Sequence, residues 1–227
     1  MSSIPYSSDV GCLMYTMVLT RLNISYVVSV MSRYMANPSK EHWRAVIWIL
    51  RYRNGTVGYG LVYKAKRGTE VNVESCVNVN YVGDLDKRRS LTGYLFTLNH
   101  CTINWKASLQ SVVALSTTNV EYIVAAAEAI KKAIWLRGMV TELGYKQKQV
   151  VVHCDSQSAI CLRKNQVHHE KTKHIDIKLH FVRLEMLRAV VKLVKIHIDV
   201  NIADMLTKVV LIAKLEFCMN SVGICKL

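Results

Sequence analysis

Apolar residues in the first quarter of the chain recur at helical spacing. Segments 9–18 and 24–36 are mixed apolar runs of helical length. In segment 40–55, apolar residues three and four positions apart fall on one face of a helix: Trp43, Val46, Ile47 and Leu50. Ser39 stands at the N-cap position of this segment, and Gly55 stands at its end. The pattern therefore predicts three helices before residue 56.

After residue 57 the pattern changes to that of strands alternating with helices. Strands are predicted near residues 58–64, 71–82, 92–99, 102–106, 150–154 and 190–197. Helices are predicted near 118–143, 155–165 and 174–188, with one or two short helices at the end. Hairpin-connected strands followed by alternating helix and strand favour an α/β fold, a mixed sheet with helices on its faces. We expect a small helical segment, residues 1–69, and an α/β domain, residues 70–227, with the boundary near 64–69.

The strand predicted at 71–82 carries an unusual pair of polar residues. Val77, Val79 and Tyr81 alternate with Asn78 and Asn80, so one face is apolar and the other presents two carboxamides. Strand interiors usually avoid Asn, which prefers turns and helix caps. The pattern raises the question of what this face contacts.

Three carboxylates occupy positions where sheet proteins place functional groups. Asp155 follows the apolar strand VVVHC, Glu121 begins the long helix, and Asp204 begins a late short helix. Singly, each fits a helix cap or a capping box. Together they resemble the carboxylate cluster of a two-metal nuclease, which holds two Mg²⁺ ions about 3.5–4 Å apart. Such a site usually takes one more carboxylate from the central strand, where this chain has Asn78.

Composition narrows the compartment and the partners. The chain has a net charge of +14, divided equally between residues 1–69 and 70–227. A folded basic protein of this kind most often binds nucleic acid, and ordinary surface charge is the alternative. The sequence has no apolar run of bilayer length and no secretory signal pattern, and its seven cysteines form no CxxC pair. We expect free thiols and a cytoplasmic, possibly nuclear, protein that is not secreted.

Long motifs connect the chain to a known family. GDLDKRRSLTGYLF, VVHCDSQSAICLRKN and VKLVKIHIDVNIADMLTK resemble the ribonuclease H domain of copia-type retrotransposon Pol polyproteins. ISYVVSVMSRYMANPSKEHWRAVIWILRYRNGT resembles the segment that links the reverse transcriptase to that domain. The resemblance covers nearly the whole chain. It implies a ribonuclease H-like mixed five-stranded sheet flanked by helices, after a small helical connection segment.

The resemblance also implies an activity and its residues. The family removes the RNA strand of RNA–DNA hybrids with two Mg²⁺ ions, which Mn²⁺ can replace. By position, Glu121, Asp155 and Asp204 match the metal-binding carboxylates, and His197 matches a histidine that assists catalysis. The partners implied are the RNA–DNA hybrid, contacted by Lys87, Arg88 and Arg89, and the reverse transcriptase polymerase domain. Neither a membrane nor a small-molecule cofactor is expected, and the chain lacks a polymerase active site.

The match fails at one catalytic position, Asn78, where the family has its first Asp. The carboxamide is isosteric with a carboxylate but neutral, and its NH₂ group cannot bind a cation. Asp84 lies about 20 Å further along an extended strand and Glu74 about 13 Å back, so neither can replace it. We expect weak or absent ribonuclease activity. The alternatives are a binding module without catalysis, and a remnant without a present enzymatic role.

Overall fold

The computed structural model describes residues 4–63, 71–84, 86, 88–113, 118–147, 149–157 and 173–227. The N-terminal part forms three helices, as predicted: α1 (Tyr6–Leu19), α2 (Ser25–Ser32) and α3 (Lys40–Gly55), with a 3-10 turn, Leu22–Ile24, after α1. Ser39 caps α3, since its Oγ accepts a hydrogen bond of 3.3 Å from the His42 N–H. The helices enclose a small core: Tyr6, Val10, Leu13, Ile24, Val28, Val46 and Ile49.

Five strands form one mixed sheet, which confirms the predicted ribonuclease H-like architecture. They are β2 (Val73–Asp84), β3 (Arg89–Leu98), β4 (Cys101–Val113), β5 (Val150–Cys154) and β6 (Val191–Lys195), and their spatial order is β4-β3-β2-β5-β6. β3 pairs antiparallel with both β2 and β4, whereas β5 pairs parallel with both β2 and β6. The central strand β2 therefore carries Asn78 and Asn80 in the middle of the sheet.

Helices cover both faces of this sheet. The main core lies between one face and α4 (Thr118–Glu142), with α5 (Lys173–Leu187) packed against α4. The other face carries a second core, which includes Cys76, Leu95, Leu206 and Cys218 and extends to α6 (Ile212–Ser221). Most of the helix predicted at 155–165 lies outside the described residues.

The N-terminal segment packs against the second face of the sheet. Leu22 belongs to the second core, and the Trp105 indole N–H donates a 3.0 Å hydrogen bond to the Met17 carbonyl. Strand β1 (Tyr59–Leu61) pairs antiparallel with β7 (Ile224–Lys226) at the C-terminus. The predicted boundary at 64–69 lies outside the described residues, so the division into 1–69 and 70–227 stays a prediction.

Two further observations bear on the predicted environment. Within the described ranges, no helix has the length and apolar character needed to span a bilayer. The six cysteines that the structure describes are all free: Cys12, Cys76, Cys101, Cys154, Cys218 and Cys225.

Candidate functional site

Asn78 and Asn80 hold a segment that is distant in sequence, which explains why two carboxamides share one face of β2. Asn78 is 2% exposed, and its Nδ2 donates to Asp204 Oδ1 at 2.6 Å and to Thr207 Oγ1 at 2.8 Å. The Asn80 Nδ2 donates to the Thr207 carbonyl at 3.0 Å. Both amides therefore fasten the short helix Ile202–Leu206 and the residue after it to the centre of the sheet.

Asn201 and Gly93 allow this short helix to approach the sheet. Asn201 caps it, because its Oδ1 accepts a 3.1 Å hydrogen bond from the Ala203 N–H, and its Nδ2 donates to the Val77 carbonyl. Gly93 is paired with Asn78 across the sheet. A Cβ on Gly93 would lie 2.6 Å from Thr207 Cγ2 and 2.8 Å from Leu206 Cβ. The absence of a side chain at 93 thus lets Asp204 reach Asn78.

Asp204 is a buried carboxylate with two ammonium groups nearby. It is 3% exposed; Lys208 Nζ lies 3.1 Å from its Oδ1 and Lys214 Nζ lies 3.9 Å from its Oδ2. Burial raises the pKa of Asp204 above its usual value, while Lys208 and Lys214 act in the opposite direction. The carboxylate is therefore compensated by the chain's own cations and by the Asn78 amide.

Asp155 joins the same network through Tyr122. Asp155 follows β5, and its Oδ1 accepts a 2.8 Å hydrogen bond from the Tyr122 hydroxyl, which also lies 3.5 Å from Asn78 Oδ1. Burial, followed by the Asp155 carboxylate, raises the pKa of Tyr122. Sequence reasoning missed Tyr122, although it directly follows Glu121 in α4 and its hydroxyl is an evident partner for a carboxylate.

The other predicted site residues are placed as follows. Glu121 lies in the first turn of α4, with its side chain outside the described part, and Lys87 is outside it entirely. Arg88 is exposed in the turn after β2, and Arg89 begins β3. His197 follows β6, is exposed, and lies 3.3 Å from Asp199 Oδ2 through its Nδ1. The described hydrogen bonds and ion pairs do not join His197 to Asp155 or Asp204.

The residues described around Asn78 do not fit a pair of magnesium ions. The Asn78 amide presents its N–H groups to Asp204, and its Oδ1 already accepts a 2.8 Å hydrogen bond from the Val79 N–H. In the described part of the chain, no three His, Cys, Asp or Glu side chains are grouped closely enough to hold a metal ion. A hard dication requires oxygen ligands, and here Asp204 faces hydrogen-bond donors and ammonium groups instead.

The chain is similar in sequence to Pol polyproteins of plant transposons. No family model matches the chain. The Pol polyprotein from transposon TNT 1-94 of Nicotiana tabacum is 49% identical over 223 residues, which are 98% of this chain and 16% of that polyprotein. The Pol polyprotein from transposon RE2 of Arabidopsis thaliana is 33% identical over 204 residues, 89% of this chain and 14% of that polyprotein. The chain thus spans less than a fifth of the length of these relatives.

A solved structure shares the fold at low sequence identity. The foamy viral protease-reverse transcriptase in complex with dsDNA matches with a TM-score of 0.53 and 12% identity, over 84% of this chain and 38% of that one. The strand order of the sheet and the sequence identity to the two plant polyproteins agree with the predicted resemblance. The chain is therefore a relative of one segment of the retrovirus-related Pol polyproteins of copia-type transposons, and its mixed sheet has a ribonuclease H-like fold.

Proposed function

We propose that this chain binds RNA–DNA hybrids through its ribonuclease H-like domain and cleaves the RNA strand weakly or not at all. The observation that carries the proposal is the 2.6 Å hydrogen bond from Asn78 Nδ2 to Asp204 Oδ1. In the family, a carboxylate at position 78 is expected to share metal ions with Asp204. Here the same position donates hydrogen bonds, and the pair is satisfied without a cation.

The loss of one negative charge has a direct chemical consequence. In the family, two bound Mg²⁺ ions activate the attacking water and stabilise the charge that develops on the phosphate. In this chain, Asn78, Lys208 and Lys214 surround Asp204 with donors and positive charge. This environment disfavours the binding of Mg²⁺ beside Asp204. Without a carboxylate at position 78, the ligand set formed by Asp155, Asp204 and Glu121 is incomplete.

Charge supports the binding half of the proposal. The net charge of +14 favours a polyanionic partner, and Arg88 is exposed in the turn after β2, next to Arg89 at the start of β3. Phosphate contacts of this kind need no catalytic carboxylate. In an intact Pol polyprotein, residues 1–69 would connect the domain to its polymerase partner, consistent with the packing of α1 against the sheet.

The test measures binding and cleavage separately on the full chain. The full chain is required because β1 pairs with β7, so a fragment beginning after residue 63 would leave β7 without its partner. A labelled RNA–DNA hybrid is titrated at several salt concentrations, and its cleavage is followed in Mg²⁺ and in Mn²⁺. We expect salt-dependent binding with little or no cleavage. Cleavage by the native chain that Asp155→Asn abolishes would contradict the proposal, as would a folded chain that does not bind.

A further inference from the structure

The end of α2 contacts the turn that carries the predicted nucleic-acid-binding residues. Arg33 Nη1 lies 3.5 Å from Asp84 Oδ2 and 3.5 Å from the Gly83 carbonyl, and the Tyr34 hydroxyl donates to Asp86 Oδ2 at 3.3 Å. These contacts connect the N-terminal helical segment to the start of the turn between β2 and β3. We name the four residues Arg33, Tyr34, Asp84 and Asp86 the helix–turn clamp.

The ion pair in the clamp is largely shielded from water. The Arg33 side chain is 11% exposed and the Asp84 side chain 5% exposed. Two guanidinium nitrogens of Arg33, Nε and Nη2, are buried without a hydrogen-bond partner. Among the described residues, Asp84 is the carboxylate that compensates the Arg33 charge. Because this ion pair is shielded from water, breaking it is expected to destabilise the contact between the helical segment and the turn.

The turn itself has a conformation that needs support. Arg88 has a φ of 49°, in the left-handed region that side chains other than glycine rarely adopt. The pairing register of β2 and β3 shifts between Asn80 and Asp84. The Asp84 Oδ1 accepts a 3.1 Å hydrogen bond from the Asp86 N–H, while its Oδ2 faces Arg33. One carboxylate therefore fixes both the turn and its attachment to the helices.

The second contact, through Tyr34, is supported on the helical side by a stacked ring. The Tyr34 ring stacks on His42, with ring centroids 3.8 Å apart and an interplanar angle of 19°. His42 belongs to the capping box of α3 with Ser39. The position of the Tyr34 hydroxyl, and hence of Asp86, is therefore set by the start of α3.

The clamp also separates the charges of the turn. Asp84 is buried against Arg33, whereas Asp86 and Arg88 are both exposed to solvent, Asp86 in contact with the Tyr34 hydroxyl. A free carboxylate beside Arg88 would repel a phosphate backbone and weaken its binding. Pairing the buried Asp84 carboxylate with Arg33 therefore removes one negative charge from the surface of the turn, while the exposed Asp86 carboxylate is held by the Tyr34 hydroxyl.

We propose that Arg33 and Tyr34 are positioning residues for hybrid binding, acting through Asp84 and Asp86 on the neighbouring basic residues Arg88 and Arg89. The inference rests on the proposed hybrid binding and adds a role for the N-terminal helical segment in it. A clamp with a purely structural role would stabilise the chain without affecting how the folded protein contacts phosphates.

The test compares full-length variants in a salt-dependent titration of a labelled RNA–DNA hybrid. Arg33→Ala removes the ion pair, and Arg33→Lys retains the charge. Arg44→Ala is the matched control, because Arg44 is also a basic residue of the N-terminal helices but pairs with Glu41 on the exposed face of α3. Stability of each variant is measured by urea unfolding, so that binding is compared only where the protein is folded.

We expect Arg33→Ala to weaken hybrid binding about tenfold and to make the plot of log K against log salt shallower by about 1–2, because each lost phosphate contact removes about 0.9 from the slope. Arg33→Lys should retain most of the native affinity and most of the native salt slope, and Arg44→Ala should leave the slope unchanged. A folded Arg33→Ala chain with native affinity and slope would overturn the inference, whatever its stability.

Tyr34→Phe decides the question if Arg33→Ala does not fold. It removes the hydroxyl bond to Asp86 and keeps the ring that stacks on His42. A shallower slope with native stability would support the clamp, and native binding would overturn it. If the native chain itself does not bind the hybrid, the proposed function fails together with this inference. If the native chain and Arg33→Ala bind alike, only the clamp fails.

Discussion

Replacing Asn78 by Asp perturbs the centre of the proposed site with an isosteric side chain. In the native chain, Asn78 Nδ2 donates to Asp204 Oδ1 at 2.6 Å. An ionised Asp at position 78 presents an acceptor there, and two unit charges about 4 Å apart repel by about 4 kcal/mol at an effective dielectric constant near 20. Taking up a proton at pH 7 costs a similar amount, about 4 kcal/mol for a carboxyl with a pKa near 3.9. Lys208 offsets part of either cost.

We therefore expect Asn78→Asp to lower the free energy of unfolding by about 2–4 kcal/mol at pH 7 when divalent cations are chelated. The loss should shrink toward pH 5. A carboxyl whose pKa is raised in the folded state binds more protons there than in the unfolded state, so stability falls as the pH rises. Added Mg²⁺ should recover about 1.4 kcal/mol at ten times its Kd, because it binds only the folded variant.

Urea unfolding with EDTA and with Mg²⁺ measures these effects. Asn80→Asp is the matched control, since Asn80 lies on the same face of β2 and donates to the Thr207 carbonyl rather than to a carboxylate. That control should be insensitive to Mg²⁺. An Asn78→Asp chain as stable as the native one in EDTA, with no response to Mg²⁺, would refute the reasoning.

Three further substitutions test neighbouring contacts by urea unfolding. Lys208→Met should lower the free energy of unfolding by about 1–2 kcal/mol at pH 7 and by less at pH 5. Burial raises the pKa of Asp204, so this carboxylate carries less charge at the lower pH. An equal loss of stability at both pH values would contradict this. Gly93→Ala should lower the free energy of unfolding by about 1–3 kcal/mol, because the new Cβ forces Leu206 and Thr207 away. Gly138→Ala is the control and should be neutral or stabilising, because open space surrounds a Cβ at that position. Equal effects would show that stability does not need the close approach of the short helix to Gly93. Tyr122→Phe should cost about 1 kcal/mol through the lost bond to Asp155, and no change would show that this bond is not stabilising.

Local patterns in the sequence predict the elements well. The spacing of apolar residues in α3, with Ser39 before it, gives that helix its bounds, and alternation in β2 gives the faces of Asn78 and Asn80. These signals suffice because each depends on neighbours within a few positions. Helix α2 ends at Ser32 rather than at residue 36 as predicted, and the side chains of Arg33 and Tyr34 contact the turn after β2 instead.

Long-range pairs are not encoded in such patterns. The bond between Asn78 and Asp204 joins residues 126 positions apart, and nothing local to either one indicates it. The pairing of β1 with β7 is invisible for the same reason, since three-residue strands show no useful alternation. Local patterns placed Asp155 and Asp204 at the ends of predicted elements, and the resemblance gave them a role, but neither indicated that the Asn78 amide donates a hydrogen bond to Asp204.

The most direct test of the account is cleavage of a labelled RNA–DNA hybrid by the full-length native chain and by Asn78→Asp, in Mg²⁺ and in Mn²⁺. We predict that only Asn78→Asp cuts, and that adding Asp155→Asn to this variant abolishes the cleavage. That result would show that one missing carboxylate accounts for the lack of cleavage by the native chain. Cleavage by the native chain, lost in Asp155→Asn, would contradict the central claim that the Asn78–Asp204 hydrogen bond replaces a working metal site.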